Sequence, residues 1–154
     1  MPASEALNTR HFVQLTRITT RRLQYWREHR LIHPELVHGK PGRYYRWDRQ
    51  LLFRATLISE LMSRGLGVGW VRKRIDGLVQ AKEKFLVIEG RGRTDKKSHW
   101  HCELFDDALG AIRFCAKSKN SVFMLDLHQL RAGLDENAAM TTTGRHDRKQ
   151  RRRH

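Results

Sequence analysis

A mainly α fold with a small β component, built in two parts and closed by a basic tail, is what the sequence predicts. Three observations lead there. Between Asn8 and Leu78, apolar residues recur at spacings of three and four, the period of helices that bury one face. Within that stretch lies HPELVHGKPGRYYRW, where Pro41-Gly42 marks a turn between two short strand candidates. From Phe85 the pattern changes to alternating and continuous apolar runs, read as β-β-α-β-α over about 50 residues.

Met1 to Leu7 form a loose end. Asn8 and Thr9 are N-cap residues for a first helix with Phe12, Val13 and Leu15, ending near Ile18. Thr19 caps a second helix, in which Leu23 and Trp26 share one face; Leu31 and Ile32 lie past its end, and His33-Pro34 is the stop signal. Leu36-Val37 and Tyr44-Tyr45 form a hairpin. Strand neighbours face opposite ways, and Tyr45 is read as inward and Tyr44 as outward. Asp48 caps a third helix with Leu51, Ala55, Ile58, Leu61 and Met62 as its stripe, broken by Gly65, Gly67 and Gly69. A fourth helix from about Val68 buries Val71, Ile75 and Leu78.

In the second part, Phe85–Ile88 is a strand and EGRGRTDKKS a polar loop. Trp100, Cys102 and Leu104 alternate in a second strand, and Asp106-Asp107 open a helix. Ala108, Leu109, Ile112, Phe114 and Cys115 supply that helix with apolar positions. The continuous run Ser121–Leu125 reads as a strand buried on both faces. A last short helix holds Leu127, Leu130 and Leu134. The expected domains are thus 8–82, a small α/β segment at 85–135 read as the dimerising or signal-sensing part, and a disordered basic tail, 136–154.

Charge separates these parts. The 154 residues carry a net +15. Met1 to Leu78 holds +9, from 15 basic against 6 acidic residues; Val79 to Gly144 holds +1; Arg145 to His154 holds +5. One folded segment and one tail are the electrostatic footprint of a polyanion partner, nucleic acid before membrane. No run of about 18 apolar residues offers a membrane span, and the N-terminus lacks the apolar run of a secretory signal. Two cysteines, Cys102 and Cys115, make no disulfide framework. A cytoplasmic, nucleoid-associated protein with reduced thiols is expected.

The order helix, turn, helix, hairpin, helix, helix resembles the MerR family of bacterial transcription regulators. ITTRRLQYWREHRLI, Ile18 to Ile32, is similar to the family pattern v-s-x-R-T-L-R-Y-Y-E-x-x-G-L-L, with Arg21, Leu23, Tyr25 and Leu31 matching. Pro34, the wing segment GRYYRW, and Leu51, Ile58, Leu61, Gly65, Val68 and Val71 follow in the family's order. Trp26 replaces an aromatic, Arg22 a Thr and Gln24 an Arg, while Arg30 stands where the family has Gly. The resemblance covers about Asn8 to Leu78 and implies a winged helix-turn-helix that binds double-stranded DNA as a homodimer. Beyond it, the family's long dimerising helix gives way to the strand-rich segment, so the usual dimer geometry does not carry over.

A recognition helix enters the major groove with its N-terminal residues at base edges. Thr20, Arg21, Arg22 and Gln24 stand at that end, Arg suited to guanine and Gln to adenine. Tyr25, Arg27, His38, Lys40, Arg43, Tyr44 and Arg46 complete the expected DNA-contacting set, mostly through phosphates, which set affinity and register. Each has a plainer reading: Arg27 as a solvated cation, Tyr25 as packing beneath the wing.

Other chemistry is poorly represented. His99, His101 and Cys102 cluster, but neighbours on a strand point to opposite faces, and no second cluster completes a tetrahedral set, so no metal and no cofactor are expected. No nucleophile–base arrangement or phosphate-cradling glycine loop suggests an enzyme. Three functions remain: a dimeric sequence-specific regulator; an excisionase-like or architectural DNA-binding protein; and an adaptor or antitoxin whose C-terminal half binds a protein. A small-molecule or protein partner for that half is left open. The polybasic tail strengthens nonspecific nucleic-acid binding or merely solubilises.

Overall fold

A computed structural model of the chain describes residues 7–39, 42–91 and 99–134. They form two compact units, one through Val79 together with residues 132–134, and one from Gln80 to Arg131. The expected basic tail, and the tip of the hairpin at Lys40 and Pro41, lie outside the described residues.

The first unit contains α1 (Thr9–Thr16), α2 (Thr20–Glu28), the hairpin β1 (Glu35–Gly39) and β2 (Gly42–Arg46), α3 (Arg49–Ser63) and α4 (Val68–Gln80). Local chemistry starts three of these helices. The side chains of Asn8, Thr19 and Asp48 each accept a hydrogen bond from the backbone N–H three residues on, at 2.9, 3.2 and 2.7 Å. Each thereby satisfies one of the donors that a helix start leaves unpaired.

The ends are as well defined. α2 closes at Glu28, with Leu31 and Ile32 past its end as expected, but His33-Pro34 is not what stops it. The Arg30 N–H donates to the Arg27 carbonyl and the Leu31 N–H to the Trp26 carbonyl, at 3.0 and 2.8 Å. This is a Schellman motif, sealed by Leu31 and Trp26, both fully buried. It requires a left-handed residue, and Arg30 has φ of +56°. Gly65, at φ +87°, plays the same part after α3, where the N–H of buried Leu66 reaches the Leu61 carbonyl at 3.3 Å. Arg30 therefore carries a conformational cost that glycine avoids. Arg30→Gly is expected to raise the urea midpoint of this unit, adding about 0.5–1 kcal/mol. A lower midpoint would show that the arginine makes compensating contacts.

The core joins Phe12, Ile18, Leu23, Trp26, Leu31, Trp47, Ile58, Leu61, Val71 and Ile75, none more than 3% exposed. α3 buries more of its circumference than a single stripe. Leu52, Phe53 and Leu57 join Ala55, Ile58 and Leu61, while Leu51 and Met62 are only half-buried. A helix covered from several sides loses the one-sided pattern on which the sequence expectation rested.

In the second unit, β3 (Phe85–Arg91), β4 (His99–Phe105) and β5 (Ser121–Asp126) form an antiparallel sheet in the order β4-β3-β5, and α5 (Ala108–Lys117) links β4 to β5. Asp107 caps α5, its carboxylate accepting from the Gly110 N–H at 2.7 Å. A helix over 127–134, α6, follows β5. The central strand is β3, whose Leu86, Val87 and Ile88 are completely buried. β5, expected to be buried on both faces, is an edge strand: Leu125 is buried, but Ser121 and Met124 are exposed. A continuous apolar run does not reveal a strand's place in the sheet order. Gly90 is required where it stands, because a Cβ there would lie 2.5 Å from the indole of Trp100, its cross-strand neighbour.

Candidate nucleic-acid interface

The capped start of α2 places the side chains at issue. Leu23 and Trp26 turn into the core. At 100° per residue, Arg21, Gln24, Tyr25 and Glu28 then point away from it. Thr20, Arg21, Arg22, Gln24 and Tyr25 are all exposed. Gln24 donates to the Glu28 carboxylate at 3.0 Å, and the Tyr25 ring lies 4.1 Å from that of His29. The sequence reading passed over Glu28, which contributes an acceptor to the exposed face. It also passed over Arg17, an exposed cation in the turn before α2, held at φ +55°. Arg17 carried no signal in the sequence, since the first helix was expected to run on to about Ile18, whereas α1 ends at Thr16; for Glu28 the signal was the four-residue spacing from Gln24.

Arg27 behaves differently from its neighbours. It is half-buried, its guanidinium lies 3.8 Å over the Tyr45 ring centroid, and it donates to the Tyr45 hydroxyl. This cation–π contact and hydrogen bond tie α2 to β2. An open cleft of about 400 Å³ lies beside the pair, walled also by Gln24, Glu28 and His33.

The hairpin divides the remaining expected residues between two faces. Cross-strand register pairs His38 with Arg43 and Leu36 with Tyr45, so these four share a face. Tyr45 is the half-buried one, and it directs that face toward α2. Val37, Tyr44, Glu35 and Arg46 occupy the other face, with Tyr44 50% exposed and Arg46 in a surface pair with Glu35 at 3.9 Å. The inward Tyr45 and outward Tyr44 agree with the sequence reading. His38 and Arg43 are thus grouped with the α2 residues, whereas Tyr44 and Arg46 are not. Lys40 lies outside the described residues.

Two anchors fix this arrangement from behind. The Trp47 indole N–H donates to the Thr9 hydroxyl at 3.0 Å, and its ring stacks on Phe12 with centroids 4.2 Å apart. Arg54 of α3 donates to the Leu31 carbonyl, just beyond α2, and to Asp76 of α4 at 2.6 Å. Arg54 was not expected to matter, since one cation inside an apolar helix gives no local sign of its partners.

His101, in the cluster considered for metal, is exposed and pairs with Glu103 at 3.1 Å. Among the described residues no three His, Cys, Asp or Glu side chains are grouped to hold a metal. No described helix is long and apolar enough to cross a membrane.

With the helices, hairpin and exposed basic face in place, the comparison with known families is specific. No curated protein matches the chain. Residues 7–78 match the MerR HTH family regulatory protein profile, which spans α1 through most of α4. These residues, a little under half of the chain, thus form a module similar to the MerR family of helix-turn-helix regulators, a family of DNA-binding transcription regulators.

Proposed function

We propose that the protein is a sequence-specific transcription regulator that binds double-stranded DNA as a homodimer, with α2 in the major groove. The observation that carries this reading is the exposed pair Arg21 and Gln24 on a capped helix whose opposite face, Leu23 and Trp26, is locked into the core. Arg offers two donors to guanine, and Gln a donor and an acceptor to adenine. Thr20, Arg22 and Tyr25 border them, and Arg17, His38 and Arg43 supply phosphate contacts. Arg27 acts through Tyr45, setting the angle of the wing. Tyr44 and Arg46, on the far wing face, reach phosphates only where the duplex bends around the wing. Such a protein works at the nucleoid.

The test selects binders from random duplex DNA at several salt concentrations, with wild type and Arg21→Ala. Wild type is expected to enrich a palindromic motif. The variant is expected to lose discrimination at one position of each half-site, by about 1–3 kcal/mol, or roughly 5- to 150-fold. Binding that is salt-sensitive, unselective and unchanged by the substitution would leave only charge at work and overturn the reading.

A further inference from the structure

Two copies of this protein repel one another through most of their length. Each carries +15, yet residues 79–144 contribute only +1. Like-charge repulsion between copies is least there. The same segment holds the two most exposed large hydrophobic side chains among the described residues, Leu109 at 55% and Ile112 at 52%.

The geometry of α5 puts them on one surface. Ala111 is fully buried, the Phe114 ring lies 5.6 Å from that of Phe105 on β4, and Ser118 bonds Glu89 on β3. These define the face turned to the sheet. Leu109, Arg113 and Ala116 then point outward. Ile112 falls on the flank away from Phe114, toward β5, where Met124 is 39% exposed on the sheet face that α5 covers. Leu109, Ile112 and Ala116 follow at spacings of three and four, a stripe of two large residues and one small. The ends of the helix differ in sign: Asp106 and Asp107 precede it, while Lys117 and Lys119 close it. A two-fold axis near Ile112 sets each acidic end against the other copy's basic end, so the surface is complementary to itself.

We propose that this face of α5, with Met124 at its margin, is the interface between two copies of the chain, the two α5 helices running antiparallel. The proposal rests on the dimeric reading above and names its surface. One helix pair is small for an interface, and association in the micromolar range follows.

Sedimentation of the full chain from low to high micromolar concentration tests it. Wild type is expected to pass from monomer to dimer. Ile112→Glu is expected to raise the dissociation constant about tenfold or more. Both Ile112 and Leu109 are exposed, and an unchanged thermal melt of the monomer shows that the fold is kept. Asp107 stays in place, because it caps α5. Asp106→Lys and the double variant Lys117→Glu, Lys119→Glu are each expected to dimerise poorly alone and to form a heterodimer when mixed. Dimers of Ile112→Glu as tight as wild type would overturn this surface and leave the dimeric reading intact. A wild type monomeric throughout would overturn both, and a heterologous protein partner would then be sought for α5.

Discussion

Replacing Trp47 with alanine is expected to destabilise the DNA-binding unit by about 3–5 kcal/mol, the range for deleting a large buried aromatic. The residue is completely buried and stacked on Phe12. Its indole N–H holds Thr9, and its backbone pairs with Leu7 at 2.9 and 3.2 Å. It also stands between the last residue of the wing and Asp48, the cap of α3. The side chain therefore ties α1, through Thr9 and Phe12, to the end of the wing, while its backbone holds Leu7. Small domains are stable by only about 5–15 kcal/mol, so the variant is left near the threshold of folding. Trp47→Phe keeps the ring stack and loses the hydrogen bond, and it is expected to cost about 1–2 kcal/mol. Urea unfolding followed by circular dichroism measures both. An alanine variant within about 1 kcal/mol of wild type would contradict the placement of Trp47 in the core.

What could be read in the sequence, and what could not, follows the range of the interactions. Thr19, Asp48 and Asp107 cap helices as expected, because a cap bond spans three residues. Leu23 and Trp26 face inward because a single helical period carries the signal. The residues that stop α2 were misassigned for a physical reason. Glycine usually marks the left-handed position of a helix end, and here Arg30 fills it, so the eye passes on to Pro34. In the second unit, apolarity was equated with burial. Leu109 and Ile112 share a helix with buried Ala111, but which side meets the sheet depends on the register of β3, β4 and β5. The candidate interface was legible as a set of exposed residue types on α2. Its division by the wing was not, since the faces of Arg43 and Arg46 depend on pairing with His38 and Glu35. Nor was the engagement of Arg27, whose partner Tyr45 lies 18 residues away.

Arg54→Met is the second substitution with a large expected effect, and its cost distinguishes two partners of one side chain. The guanidinium spans from the turn after α2 to α4, with only 13% of the side chain exposed. The Asp76 carboxylate is 75% exposed, and ion pairs of that kind contribute at most about 1 kcal/mol. The bond to the Leu31 carbonyl matters more, because Leu31 is completely buried and a buried acceptor that loses its donor costs about 1–3 kcal/mol. Arg54→Met retains most of the aliphatic volume, and its expected cost is about 2–3 kcal/mol. Asp76→Asn is expected to cost less than about 1 kcal/mol. The ordering of the two is the result to check, by urea midpoints of each variant and of the double variant; equal costs would mean that the ion pair, and not the carbonyl, holds Arg54. Since Leu31 closes the Schellman turn of α2, the methionine variant also frees the end of the proposed recognition helix. DNA affinity measured well below the unfolding temperature is then expected to fall for all sequences alike, with base preference kept, because Arg21 and Gln24 stand at the other, capped end.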